Sequence, residues 1–346
     1  MTALIRSSFR SSIPHGAEQA HAGLWLMRGL PEFSESPESK ARHIDSLCQQ
    51  RPSEFYKLAW RRWLDTIGDT DRFSSLHVQL AQRLFIGQSS ASVLETGICV
   101  SHSYGMPMVP GSTVKGCAQA YARAVGLSPE YRAVLFGEDE ESAEGSKRLP
   151  GAACLIWHDA WWNPDSGTKP FVREIVTTHH MEYYAGKTDE ATDFDSPVPN
   201  AQIAAQGSFC FAIEGPYAWT KLGIDLLEKA LRETGIGAKR AAGYGVMKKD
   251  EEATRRLQDR QRQQAEEKMT PLERARSRIG ILTGKMLAQT FGRDLNKTRA
   301  EYAPLADDEL RLIALECHGA IIEKWVDADK NENKGKAYRF LKSPPA

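Results

Sequence analysis

The sequence lacks net charge, long hydrophobic runs and closely spaced cysteines. Its 45 Lys and Arg balance 45 Asp and Glu, which excludes a protein whose whole surface is coated with one sign of charge. A membrane-spanning helix needs about 20 predominantly apolar residues. The longest segment without charged residues, Thr96–Val114, is interrupted by Gly, Ser, Thr and Pro. We therefore expect no contact with a membrane.

The cysteines form no CxxC motif and no pair with histidine at zinc spacing. We interpret them as reduced thiols of a cytoplasmic protein, and we expect neither a metal ion nor another cofactor. All six are widely separated along the chain: Cys48, Cys99, Cys117, Cys154, Cys210 and Cys317.

The chain divides by pattern into three parts. Residues 1–77 combine an N-terminal arm with a helical elaboration, in which Trp60, Trp63, Leu64 and Ile67 recur at helical spacing. Residues 78–250 alternate strand and helix signals, in the order strand, helix, two strands with insertions, helix and strand. This order is typical of a ferredoxin-like α+β fold, an antiparallel sheet with two helices on one face. The predicted strands are 78–86, 93–100, 152–157, 171–177, 209–213 and 246–248, and the predicted helices include 114–125 and 222–234.

Residues 251–346 have a different pattern. A highly charged segment, 251–268, indicates a solvent-facing linker helix. Thr270, Pro271 and Glu273 then give a helix cap, a proline at the first helical position and a reciprocating carboxylate. A later apolar stripe predicts a second helix, so we expect a small C-terminal helical unit. The acidic segment from Glu138 to Glu144 is predicted to be a solvated loop.

The segment Gly235–Gly245 combines four glycines with two adjacent cations. Glycine permits positive φ and close approach, so backbone N–H groups here can converge on an anion while the cations supply charge. The spacing does not match the GxGxxG dinucleotide motif, which also requires the order strand and then helix. A glycine-rich turn imposed by close packing of helix and strand is the alternative. The predicted phosphate-binding loop comprises Gly235, Gly237, Lys239, Arg240, Gly243 and Gly245.

A second candidate is Val109–Gly116, at the start of the first helix of the core. We expect Ser112 or Thr113 to cap this helix, leaving free N–H groups as an anion site. Lys115 opposes the helix macrodipole in the first turn, at a cost of about a few tenths of a kcal/mol unless an anion lies beside it. We predict that all three residues contact phosphate, and that this segment folds next to the glycine-rich segment so that the cations of both bind one sugar–phosphate strand. A surface lysine without function is the alternative.

A third candidate is the run from His179 to Tyr184. Adjacent histidines point to opposite faces of a strand and make a poor zinc pair. Imidazoles have the chemistry for acid–base work at a ribose 2′-hydroxyl, and tyrosines can stack on bases. We predict RNA contacts for His179, Tyr183 and Tyr184; a purely structural role at the end of a strand is the alternative.

Together these segments resemble the RAMP superfamily of CRISPR effector proteins, and within it the sixth-subunit family of the type III-B, or Cmr, complex. The resemblance extends from about Leu24 to Lys248 and leaves out the tail from Glu251 onward. It is carried by His21–Leu26, Leu84–Gly87, Glu95–Ile98, Tyr104–Gly105, Val109–Gly116, Phe136–Gly137, His158–Ala160, His179, Tyr183–Tyr184, Pro197–Pro199 and the glycine-rich segment.

The resemblance implies a ferredoxin-like, RRM-related palm at the end of a stack of related subunits, where it holds the 3′ part of the guide RNA. Its partners would be guide RNA, target RNA and other RAMP subunits of the Cmr complex. In such complexes target cleavage is attributed to a neighbouring subunit, which implies a non-catalytic scaffold. His102 or Tyr104 would contact bases or the neighbouring subunit. Between Lys239 and Arg278, twelve Lys and Arg outnumber seven Asp and Glu, a local basic surface suited to RNA.

Two other functions stay open. The first is a metal-independent endoribonuclease that processes guide precursors, with His179 or His180 near Lys239 as acid and base. The second is a ferredoxin-like protein that binds a small molecule or nucleotide outside RNA biology, because a fold alone does not determine function.

Overall fold

A computed structural model describes residues 2–3, 20–30, 32–33, 37–88, 94–137, 152–326 and 332–343. The chain forms two compact units, Met1–Leu257 and Gln258–Ala346. The helices of the first part of the chain are α1 Ala22–Arg28, α2 Pro37–Leu47, α3 Glu54–Thr66, α4 Gly111–Ala124, α5 Pro129–Phe136, α6 Met181–Tyr184 and α7 Tyr217–Glu233, followed by α8 Glu251–Lys268.

The first unit is built on an antiparallel sheet. The strands of the chain are β1 Thr2–Ala3, β2 Glu32–Phe33, β3 Phe73–Leu80, β4 Met108–Val109, β5 Ile156–Trp157, β6 Ala160–Trp162, β7 Phe171–Thr178, β8 Val198–Ala205, β9 Ser208–Glu214 and β10 Met247–Lys249. The spatial order of the sheet is β10-β3-β9-β6-β4, and β5 also pairs with β9. Outside this sheet, β1 pairs with β2 and β7 pairs with β8, both antiparallel.

Both faces of the central strand β9 are covered, because its side chains alternate between two cores. Phe209 and Phe211 belong to the main core, with α4 and α7. Cys210 and Ala212 face the opposite side, where Trp60 of α3 packs on them. Ser53 caps the start of α3, and its hydroxyl accepts a hydrogen bond from the Tyr56 N–H. The N-terminal helical part therefore covers the sheet face that α4 and α7 leave open.

The hairpin formed by β7 and β8 extends from the core towards solvent. Its inner end is buried at Phe171 and Ala205, whereas Ile175 and Val198 further along are exposed. Lys40 of α2 donates to the side chain of Asn200 and so braces the hairpin from one side. Residues 179–197, including α6, connect its outer ends.

The predicted helices of the core are confirmed as α4 and α7, and Gly126 follows α4 with φ of 73°. Two strand predictions are wrong in part. The strand predicted at 78–86 ends at Leu80, and Leu84 and Phe85 form isolated bridges instead. Within 93–100, the described residues 94–99 include no strand, because the chain turns at Glu95, whose φ is positive at 49°. The acidic segment from Glu138 to Glu144 lies outside the described residues.

Further predicted strands differ in extent from those observed. Only Ile156–Trp157 of the predicted strand 152–157 is extended and paired. Several observed elements have no counterpart in the sequence predictions, among them β6, β8 and α5. The short β6 pairs with β9 over only two residues, so it has too few alternating positions to leave a periodic signal.

The second unit is helical. The helix start predicted at Thr270 is confirmed, and Thr270 and Glu273 form the reciprocal capping box, although this helix ends at Gly280. A core that includes Ile279, Phe291 and Phe340 holds the unit together. Its helices are α9 Pro271–Gly280, α10 Gly284–Ala288, α11 Leu295–Glu301, α12 Asp307–Glu323 and α13 Glu332–Lys342, with a π-helical turn at Gln289–Arg293. The proposed division at residues 77 and 250 stays a prediction; the boundary between the compact units lies within α8.

Candidate nucleic-acid interface

The glycine loop, Gly235–Gly245, connects α7 to β10 and makes close backbone contacts. Gly235, Gly237, Gly243 and Gly245 all have positive φ. A Cβ at Gly245 would lie 1.8 Å from the carbonyl oxygen of Ile236, and one at Gly237 would lie 2.3 Å from that of Phe85. No side chain fits such distances. Close packing of the backbone therefore explains these two glycines, as the alternative interpretation of the segment proposed.

The N–H groups of the glycine loop are largely used inside the protein. Ile236 donates to Gly245, Ala238 donates to Phe85, and Gly245 donates to Arg83, each through backbone atoms at 2.8–3.0 Å. These groups are not available to an anion, contrary to the expectation that the loop N–H groups converge on one. An anion at this loop would therefore be bound by the side chains of its two cations.

Those cations, Lys239 and Arg240, lie at the exposed turn of the loop. Lys239 has a left-handed backbone, with φ of 58° and ψ of 33°, and Arg240 begins a 3₁₀ turn that ends at Ala242. A non-glycine residue in this region costs roughly 1–2 kcal/mol. Among the described residues, no carboxylate lies within ion-pair distance of either side chain. The loop therefore presents two uncompensated positive charges to solvent.

The start of α4 differs from the prediction. Neither Ser112 nor Thr113 caps the helix; its N-cap residue is Pro110, which has no side-chain capping bond. The carboxylate of Asp159 accepts a hydrogen bond from the Gly111 N–H at 2.7 Å. Asp159 is distant in sequence, so local pattern could not identify it. Because a carboxylate already occupies this helix end, the predicted anion site at the free N–H groups is weakened.

Helix α4 and the glycine loop form two walls of one open cavity of about 600 Å³. Thr113 lies on the helix wall and Arg240 on the loop wall. The lining residues are Phe85, Ile86, Gly87, Gln88, Thr113, Gly116, Cys117, Ala120, Gly235, Ile236, Gly237, Ala238 and Arg240. The two segments thus lie at one cavity, and Phe85, Gln88 and Cys117, for which no ligand contact was predicted, also line it.

Lys115 does not line this cavity. It is separated from Thr113 by about 200° around a helix of 3.6 residues per turn, so it lies on a different side of α4. Ser112 is also outside the lining, and so are Lys239, Gly243 and Gly245. The structure thus brings Thr113, Gly235, Gly237 and Arg240 together, and does not add Lys115 to them.

Cys117 joins the two walls. Its thiol donates to the carbonyl oxygen of Gly235 across 3.6 Å. Burial raises the pKa of the Cys117 thiol to about 11, an effect that the positive charge of Arg240 partly opposes. The thiol is therefore protonated at neutral pH, and it acts as a hydrogen-bond donor that fixes the loop against the helix.

A second group of predicted residues lies at the outer end of the hairpin. Tyr183 and Tyr184 of α6 are exposed, with ring centroids 5.8 Å apart. His180 contacts Tyr184 and hydrogen-bonds through Nδ1 to Asp195 at 2.8 Å. That bond holds the pKa of the Asp195 carboxyl below its usual value. His179 is exposed beside His180. None of these residues lines the cavity.

The glycine loop and the hairpin are connected by Glu174 of β7. One carboxylate oxygen accepts a hydrogen bond from the Tyr244 hydroxyl at 3.0 Å, and the other accepts one from Arg83 at 3.4 Å. Burial and the bond to Glu174 raise the pKa of Tyr244. The Tyr244 ring also lies against Phe85, on the cavity floor, with centroids 4.7 Å apart. Glu174 thus ties the base of the hairpin to the loop.

The other two residues named from the resemblance have contacts within the protein. Tyr104 packs against Tyr56 and Trp161. The backbone carbonyl of His102 is hydrogen-bonded to the ring of His21 at 2.9 Å. Within the described ranges, no group of three or more His, Cys, Asp or Glu side chains is arranged to hold a metal ion. No helix among those described is both long and apolar enough to span a bilayer.

Comparison with known proteins places these features in one family. The model of the RAMP superfamily matches residues 77–248, a range that contains most of the sheet, the hairpin, the cavity and the glycine loop. A curated relative, the CRISPR system Cmr subunit Cmr6 of Pyrococcus furiosus, is 29% identical over 295 aligned residues, which cover 67% of this chain and 85% of that protein.

Similar solved structures include the type III-B Cmr-beta complex bound to cognate target RNA, at 18% identity and a TM-score of 0.49, covering 61% of this chain and 71% of the other. The crystal structure of Cmr6 from Pyrococcus furiosus is 21% identical at a TM-score of 0.31, covering 51% of this chain and 98% of that one. From the family match and the relative, we conclude that the chain belongs to the RAMP superfamily.

Proposed function

We propose that this protein is a non-catalytic, RNA-binding scaffold subunit of a type III-B CRISPR antiviral ribonucleoprotein in the cytoplasm. In that complex it holds the 3′ part of the guide RNA and caps the filament of backbone subunits. Its partners are the guide RNA, the target RNA and other RAMP subunits. The relative named as a Cmr subunit supports the assignment to this type of complex, since the alignment covers most of that protein.

The observation that carries the proposal is the open cavity between α4 and the glycine loop. Arg240 lines it, Lys239 is adjacent, and no described carboxylate compensates either charge. The protein has no net charge. Two uncompensated positive charges beside this open cavity therefore attract an anionic RNA strand to this part of the surface. Small and apolar residues line much of the cavity, which favours recognition of RNA by its shape and by contacts to its sugar–phosphate backbone.

The arrangement of the sheet supports a ferredoxin-like fold. In chain order, β3, β6, β9 and β10 form the pattern strand, helix, strand, strand, helix, strand with α4 and α7. Their spatial order, β10-β3-β9-β6, has the first and third of these strands at the centre. We infer a ferredoxin-like, RRM-related palm, with an N-terminal helical elaboration and a C-terminal helical extension. The domain limits 1–77, 78–250 and 251–346 are part of this proposal.

The histidines support a scaffold better than a nuclease. His180 is engaged with Asp195 at the end of the hairpin, and neither it nor His179 lines the cavity that holds Arg240. A general acid or base must reach the atom whose proton it transfers. With the phosphate held in the cavity, neither imidazole is placed there to act on the adjacent 2′-hydroxyl.

Incubation of the purified full-length chain with labelled single-stranded guide-precursor RNA in EDTA tests both parts of the proposal. We expect a shifted complex that releases intact RNA after denaturation. A 2′,3′-cyclic phosphate product that disappears in His180→Ala would instead establish the metal-independent endoribonuclease. Failure to bind RNA, alone or in the reconstituted complex, would exclude the RNA-binding role and leave the small-molecule alternative.

A further inference from the structure

The helix wall of the cavity has a glycine at its centre. Gly116 lies in the interior of α4, is exposed and lines the cavity. Its backbone is α-helical, so positive φ does not explain the choice of residue. Glycine is among the least favourable residues in a helix interior, because it has the most backbone freedom to lose. An exposed helical glycine therefore needs another explanation.

Packing within the chain does not provide one. A Cβ built at Gly116 would have no described atom within 4 Å, apart from the helix's own backbone. Gly223 of α7 is different, because a Cβ there would lie 3.1 Å from the side chain of Ile213 in the sheet beneath. The glycine in α7 allows the helix to pack on the sheet, whereas the space above Gly116 opens into the cavity.

The residues around Gly116 indicate what uses that space. Thr113 and Ala120 lie about one turn away on either side of it along the same wall. The helix wall therefore carries only small side chains, and its one hydroxyl group is that of Thr113. Arg240 supplies a positive charge from the opposite wall. A groove with a flat wall on one side and a guanidinium on the other fits a sugar ring and its phosphate.

We propose that Gly116 is a contact position for the nucleic-acid strand, and that a ribose passes directly over the bare backbone of α4 while its phosphate pairs with Arg240. Thr113 lies within reach of the same sugar and supplies the polar group. This inference rests on the proposed function, and it adds a steric requirement: any side chain at position 116 occupies the path of the strand.

The test is to fill that path in the full-length protein. Gly116→Leu introduces a bulky side chain that favours the helix, and its affinity for fluorescein-labelled single-stranded RNA is measured by anisotropy. Gly319→Leu is the matched control, because Gly319 lies in α12 and its Cβ position also has no described atom within 4 Å. We expect Gly116→Leu to lower the affinity about tenfold or more, without lowering the midpoint of thermal unfolding. Gly319→Leu should bind as the wild type does.

The possible results separate the steric role of Gly116 from the phosphate site at Arg240 and from RNA binding as a whole. If Gly116→Leu binds RNA as tightly as the wild type while Arg240→Ala binds more weakly, the steric role of Gly116 is wrong and the phosphate site stands. If the wild type does not bind RNA, the proposed function fails first. If Gly116→Leu unfolds, Gly116→Ala decides: a loss of about threefold supports the contact, and unchanged affinity overturns it.

Discussion

The carboxylate of Asp159 accepts a hydrogen bond from the Gly111 N–H at 2.7 Å, at the first turn of α4. The bond connects the segment between β5 and β6 to the helix that forms one wall of the cavity. It also neutralises part of the positive end of the helix dipole. The carboxylate thereby fixes the position of the wall that carries Thr113.

Removing this cap should destabilise the protein, whereas removing the predicted cap should not. Replacement of a capping side chain by alanine costs about 0.5–2 kcal/mol, so we expect Asp159→Ala to lower the free energy of unfolding by about 1 kcal/mol in urea denaturation. Asp159→Asn should retain most of the stability, because its amide oxygen can accept the same bond. Ser112→Ala should have almost no effect. A larger loss from Ser112→Ala than from Asp159→Ala would contradict the assignment.

The glycines of the loop should differ sharply in their tolerance of alanine. At Gly245 a Cβ meets the Ile236 carbonyl oxygen at 1.8 Å, whereas at Gly243 the nearest atom is the flexible end of Gln82 at 3.9 Å. Both have positive φ, which alone costs about 1–2 kcal/mol for alanine. We therefore expect Gly243→Ala to lower the free energy of unfolding by about 1–2 kcal/mol and Gly245→Ala to lower it by more than about 4 kcal/mol. Equal losses in thermal unfolding would show that backbone contact is not what selects Gly245.

Stability should fall in mild acid because of His77 on β3. Its ring is buried beside Trp60, and neither ring nitrogen has a hydrogen-bond partner among the described residues. Burial lowers the pKa of His77 from 6.5 to about 4, although Asp250 partly opposes the shift. Between these values the unfolded chain binds a proton that the folded chain does not. The free energy of unfolding should therefore decrease as the pH falls through this window, by about 3 kcal/mol from His77 alone.

His77→Phe isolates this contribution, since phenylalanine does not titrate. Between about pH 6.5 and pH 4, the free energy of unfolding measured in urea should decrease less in the variant than in the wild type, by most of the roughly 3 kcal/mol assigned to His77. An identical pH dependence in the two proteins would indicate that His77 is protonated equally well in the folded and unfolded states.

The tyrosines at the end of the hairpin should contribute to RNA binding and not to folding. Tyr183 and Tyr184 are 43% and 69% exposed, so their truncation removes little buried surface. Stacking of a base on an aromatic ring contributes about 1–3 kcal/mol. We expect the double alanine variant to lose about tenfold or more in RNA affinity, measured by anisotropy, with unfolding unchanged. Tyr217→Ala, at a similarly exposed ring on α7, is the control; an equal loss there would remove the case for stacking.

The helices that position the cavity were predictable because each has an apolar stripe against the sheet. Helices α4 and α7 each combine that periodicity with a terminal glycine, so both local signals agree. Strand β8 gave no such signal. Pro199 lies within it and pairs with Thr177, and proline in a run argues against a strand unless the strand is at an edge. The two-stranded hairpin supplies that edge.

The candidate site was predictable where the residues lie close together in sequence. Lys239 and Arg240 stand out beside the glycines, and their exposed turn carries both. The role of Asp159 depends on a contact between distant segments, which no local spacing encodes. For Lys115 the local pattern gave the wrong position. We expected this cation to bind the same strand as Arg240, but Lys115 does not line the cavity. A rotation of about 200° around the helix from Thr113 places it on a different side of α4.

The most direct test of RNA binding at the glycine loop is the salt dependence of RNA affinity with and without its two cations. Each phosphate contact on a single strand contributes about 0.7 to the slope of the logarithm of affinity against the logarithm of salt concentration. We predict that Lys239→Ala combined with Arg240→Ala weakens binding and reduces the magnitude of that slope by about 1.4. Arg61→Ala with Arg62→Ala, an adjacent exposed pair on α3, should leave both unchanged. An unchanged affinity and slope in the glycine-loop variant would show that Lys239 and Arg240 do not bind the phosphates of the RNA.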